Sequence, residues 1–154
     1  MSTNKTQGLS LFFQKDQNTI IKAGRVVDVN NFGGTRTQID ETDTDDTEEM
    51  QYSAGLKNPG SITVNLNQDF DAAAQEDLEA LYDDGTKVTW FLGLSDGTAV
   101  PTVASGVFTV PDTRTFIQFQ GFIADFPLNW ARNDIGRATM QVQRSGTRTV
   151  HRKA

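Results

Sequence analysis

Cysteine is absent from this chain of 154 residues, and histidine occurs once, at His151. The first absence excludes disulfides, thiol nucleophiles and thiolate metal sites, and is neutral about compartment. The second leaves one histidine, in a basic tail, where a flexible surface residue is the simpler reading than a general base. There is no Walker loop, dinucleotide glycine fingerprint, nucleophile elbow or paired-histidine helix motif. No apolar run approaches the ~20 residues that span a bilayer, and the polar segment Met1–Gly8 lacks the apolar stretch of a signal peptide. Enzyme chemistry, a cofactor, a bound metal and a membrane role are all unexpected on these grounds.

What the chain has is β-prone and polar. Apolar residues make up 36%, with 13 glycines and ten phenylalanines, a composition that suits strands joined by long polar loops. The net charge of −6 is unevenly spread. Residues 40–49 (DETDTDDTEE) hold seven of the 20 acidic residues, whereas four basic residues and no acidic one follow Val142. A body this acidic should repel nucleic acid, since tight binding needs stripes of Lys and Arg against phosphate.

Punctuation by turn residues gives the organisation. Residues 1–8 read as a flexible arm. The pieces LSLFFQ, TIIKAG and RVVDV read as short strands, and 33–60 as a long acidic loop closed by the turn Asn58-Pro59-Gly60. A loop of this length is expected to be functional or to order on a partner. Ser61–Asn67 alternates cleanly, with Ile62, Val64 and Leu66 on one side. One short helix follows at about residues 71–83, with Asp71 as N-cap, Ala74, Leu78, Leu81 and Tyr82 on one face, and Gly85 at the C-cap. Strand patterns return through Val88, Trp90, Leu92 and Leu94, through 116–126, and through Ala138, Met140 and Val142. Residues 146–154 read as a basic mobile arm. The expected fold is mainly β, a small sandwich or barrel over 9–145 with one helix, a long loop and terminal arms.

Candidate sites are few. Asp43, Asp45 and Thr47 place oxygens at alternate positions, but a calcium loop begun at Asp43 needs Gly and Glu where Glu48 and Ala54 stand. A solvated loop, or one facing a partner's basic surface, fits better. The carboxylates Asp69, Asp71, Glu76, Asp77 and Glu79 suit a helix N-terminus and an exposed helix face better than a glycosidase pair. The Asn4-Lys5-Thr6 sequon reads as chance. Trp90 lies in an apolar row and reads as core. That leaves an assembly contact: the acidic residues Asp40, Glu41, Asp43, Asp45, Asp46, Glu48 and Glu49 against the basic residues Arg144, Arg148, Arg152 and Lys153 of a neighbouring copy.

The ordered set RVVDV, the acidic loop, GLKNPGSITVNLN, DAAAQEDLEALYDDG, KVTWFLGLSDGT, FQGFIADF and ATMQVQRSG resembles the lambda-type major tail tube proteins of long-tailed bacteriophages over residues 24–146. The chain stops where the lambda protein continues into an immunoglobulin-like domain. The resemblance implies a ring-forming β-sandwich subunit of the virion tail, assembled in the host cytoplasm into stacked hexameric rings around a lumen that DNA crosses to reach the host. It implies as partners other copies of the chain and the tape-measure, tail terminator and distal tail proteins, with DNA met only in transit. Two other readings fit the residues: a tube subunit of a contractile-injection or type VI-like apparatus, and a carbohydrate-binding β-sandwich module.

Overall fold

A computed structural model describes residues 7–24, 26–30, 32–68 and 73–154. Residues 1–6, with the sequon and most of the expected N-terminal arm, lie outside the described set, as do Asp69 and the proposed cap Asp71.

Strand β1 (Ser10–Asp16) turns into β2 (Thr19–Ala23), and β3 (Val26–Asn30) follows. The hairpin β4 (Thr35–Asp40) and β5 (Tyr52–Asn58) comes next, then β6 (Ser61–Asn67) and the helix α1 (Ala73–Asp84). The chain continues through β7 (Val88–Gly93), β8 (Thr102–Ala104), β9 (Val107–Thr109), β10 (Phe116–Asp125), β11 (Leu128–Asn129) and β12 (Arg137–His151). The main sheet is antiparallel and ordered β2-β1-β7-β10-β12-β6-β3, with β11 beside β12.

Its two end strands, β2 and β3, are joined by residues 24 and 25 alone. Three Cα steps span at most ~11 Å, so the sheet must roll until its ends approach. The result is a small barrel-like sheet around a main core, the mainly β architecture expected from the pattern, with a single helix among the described residues.

That core follows the alternation in sequence. Ile62, Val64 and Leu66 on β6 pair with Val142, Met140 and Ala138 on β12, and all six are buried. Trp90, Leu92 and Phe119 join them, with Leu81 and Val88 half-buried against the same cluster. The Trp90 indole donates to the Gly121 carbonyl at 3.1 Å, which satisfies the one polar atom of this largest core side chain. Helix α1 contributes Leu78, and the Gly85 amide donates to the Leu81 carbonyl at 3.0 Å. Gly85 sits at φ +65°, the left-handed C-cap that glycine adopts without strain. Tyr82, expected on the buried face, is 40% exposed and rests its ring on Phe126.

Two expectations for whole segments change. The span 33–60 is not a structureless loop: both its flanks form the β4–β5 hairpin, and only the acidic tip is irregular. The tail is not free, because β12 runs to His151 and pairs Thr149, Val150 and His151 with Gln118, Ile117 and Phe116. Polar β-branched residues join a ladder that a neighbouring strand supplies, which local composition does not show. Residues 98–115 contain the hairpin β8–β9, turned by Ser105 and Gly106, both at positive φ. A second buried cluster, Phe12, Phe91 and Phe116, lies on the other face of the sheet, with Phe108 of this hairpin packed against it.

Candidate assembly interface

The β4–β5 hairpin stands apart from the core. Every residue of β4 is exposed, and on β5 only Ser53 and Gly55 are partly covered. Its apolar side chains face solvent: Ile39, Tyr52 and Leu56, the last 89% exposed. A two-stranded ribbon without a packed face is marginally stable in water.

Its tip is ordered by its own polar groups. Asp40 accepts from the Thr42 amide at 2.9 Å, and the Thr42 hydroxyl accepts from the Gln51 amide at 2.8 Å. Asp43 accepts from the Asp45 amide, and Asp46 from the Asp43 amide. Bonding from the Thr42 hydroxyl, then its amide, holds the Asp40 carboxyl below the usual carboxylate range. Among the described residues none of the seven acidic side chains of 40–49 is in an ion pair, and no group of His, Cys, Asp and Glu is placed to hold a metal.

At the hairpin's root the charge is reversed. Gly34 approaches the Asn58 and Pro59 carbonyls so closely that a Cβ would overlap them, and this pinch lets the ribbon leave the body. Arg144 braces the pinch. Its Nη1 donates to the carbonyls of Gly33 (3.3 Å) and Pro59 (3.1 Å), and its guanidinium lies 4.8 Å from the Phe32 ring centre. Arg148 approaches the same ring at 5.5 Å. Arg144, which the sequence offered as a surface contact to a neighbouring copy, is therefore buried within its own subunit. The signal was present: 138, 140 and 142 point inward, and 144 continues that phase.

The other basic candidates are dispersed. Lys153 donates through Nζ to the Asp96 carbonyl and through its amide to the Thr115 hydroxyl, both in its own subunit. Arg152 is exposed at the end of β12. The subunit thus does not bring its own acidic and basic candidates together. Lys57, at the root, was not among the residues the sequence singled out.

A family model for the lambda-like phage tail tube protein, TTP, matches residues 2–154. The chain belongs to that family. It is 30% identical over 148 residues to Structural protein 3 of Pseudomonas phage PAJU2, covering 92% of this chain and 90% of that one. The fold of this tail tube protein is similar to that of the SPP1 tail tube solved by solid-state NMR and cryo-electron microscopy, with a TM-score of 0.69 at 11% identity over 97% of this chain and 79% of that one. It is also similar to a chain of the anti-feeding prophage baseplate, with a TM-score of 0.65 at 9% identity and 97% coverage of both. The tail tube protein is a structural component of the phage virion tail, as the sequence resemblance implied.

Proposed function

We propose that this tail tube protein closes into hexameric rings that stack around a lumen through which DNA passes to the host cell. The observation that carries the proposal is the β4–β5 hairpin, an exposed ribbon with Ile39, Tyr52 and Leu56 on its surface and no core of its own. Such a ribbon fits a role in which a neighbouring copy supplies the missing contact. The unpaired outer edges of β2 and β3 suit closure of a ring in the same way, because a sheet edge is a liability alone and a joint when a neighbour pairs it. Twenty acidic against ten basic residues over 1–143 would keep passing DNA from adhering. The work is mechanical and asks nothing catalytic of the chain. Tape-measure, terminator and distal tail proteins would meet the tube inside and at its ends.

A tube subunit of a contractile-injection apparatus shares this fold, and the likeness to the anti-feeding prophage baseplate fits that reading at the level of fold. The family match across the whole chain favours the phage tail. Electron microscopy of the purified protein at rising concentration tests the proposal. Hollow filaments with sixfold end views are expected. Monodisperse globules at every concentration would overturn it.

A further inference from the structure

The root of the hairpin buries a cation and, among the described residues, gives it no counter-ion. Arg144 is 3% exposed, and its Nε finds no hydrogen-bond acceptor among those residues. Burial lowers its pKa first, the charge of Arg148 lowers it further, and no carboxylate acts in the other direction. Beside it opens a cleft of about 270 Å³, lined by Lys57, Pro59, Arg144, Gly146 and Thr147. Arg36 stands directly opposite Lys57 across β4–β5, and like charges facing each other in a ladder are destabilising. Two cations, Lys57 and Arg144, therefore line the cleft with no acidic residue among its lining, and Arg148 stands close behind Arg144. A desolvated charge and an orphaned donor are costly until an anion completes them.

The chain carries the complement, but out of its own reach. The tip of the same hairpin holds seven carboxylates, none of them in an ion pair among the described residues. Tyr52 and Lys57 lie on one extended strand, roughly 17 Å apart at ~3.4 Å per residue. Asp40 stands level with Tyr52 and the other six acidic residues lie beyond it, so a tip cannot fold back onto its own root. A second copy has no such restriction.

We propose that the acidic tip of one subunit's β4–β5 hairpin inserts its carboxylates into the basic cleft at the root of the same hairpin in a neighbouring subunit. This rests on the self-assembly proposed above and names the contact that drives it. Tip and root are different surfaces, so each copy gives one contact and receives another, and the contact can repeat from subunit to subunit. Each exposed pair is weak, but the repeats act together.

The absence of cysteine makes the test clean. A chain carrying Asp45→Cys or Glu48→Cys together with Lys57→Cys has two thiols whose Cα atoms, within one hairpin, lie beyond the ~7 Å a disulfide allows. Filaments of these double variants, oxidised and run on a denaturing gel, should give a ladder of covalent oligomers, whereas each single variant gives dimers at most. In parallel, Lys57→Glu with Arg148→Glu, both at exposed positions, should slow filament growth about tenfold, because several attractions become repulsions. Adding Asp45→Lys and Asp46→Lys to that variant should restore growth. Normal filaments without a ladder, or unchanged growth of the reversed variant, would overturn the contact and leave self-assembly standing. A wild-type chain that forms no filament would overturn both.

Discussion

Arg114 sits where an apolar side chain would ordinarily be. It is 3% exposed, and its guanidinium donates to the carbonyls of Leu94, Ala99, Gly8 and Gly93 at 2.7–3.1 Å. It also lies 5.5 Å from the Phe116 ring centre. Gly93 makes the room: a Cβ there would stand 2.7 Å from the Arg114 guanidinium carbon. Burial lowers the arginine's pKa, opposed in part by the charge of Asp96. One side chain thus ties the start of β1, the end of β7 and the 94–99 loop into one unit. Arg114→Met keeps the bulk but leaves those carbonyls without their charged donor, and should cost about 1.5–3 kcal/mol, read as a lower urea midpoint with unchanged slope. Nothing in local sequence marks Arg114 as buried, since its four acceptors come from three separate segments and only folding brings them together.

At the scale of elements, the tail and the acidic span were the two misread segments, for related reasons. Each is a polar stretch whose partner is elsewhere in the chain. Thr35 and Asn58 pair across a long gap, and Thr149–His151 pair with Phe116–Gln118 across a bulge at residues 146–148, where Gly146 takes φ +80°. Strand membership of this kind is set by the pairing, not by the segment. It changes what a truncation would measure. Removing residues 146–154 would strip the β12 partner from one side of Phe116, which is fully buried in the second aromatic cluster and keeps only its β7 partner, so the truncated chain should unfold at a clearly lower temperature. Differential scanning fluorimetry of the monomer checks this; an unchanged midpoint would show the end of β12 to be dispensable. The charge-reversed variants, and not the truncation, are therefore the right probe of assembly.

At the scale of the whole molecule, charge is segregated: an acidic tip, a basic hairpin root, and opposite charges that nearly balance over the chain outside 40–49. Attraction between tips and roots is screened by salt, with a Debye length near ~10 Å at 0.1 M and ~3 Å at 1 M. Filament growth followed by light scattering should therefore slow as sodium chloride rises, and a rate independent of salt would count against charge as the driving term. The sequence by itself determined the core and the class. Alternation at period 2 placed Ile62, Val64, Leu66, Trp90, Leu92, Met140 and Val142 inside, a short amphipathic run gave the one helix, and the ordered motifs gave the family. These signals are legible because each is written within a few consecutive residues. Only the tertiary structure decided that the acidic span is a ribbon, that the tail is a strand, and that Arg114 is buried. Those outcomes depend on non-local pairing and on carbonyls drawn from distant segments, which a chain read residue by residue does not display.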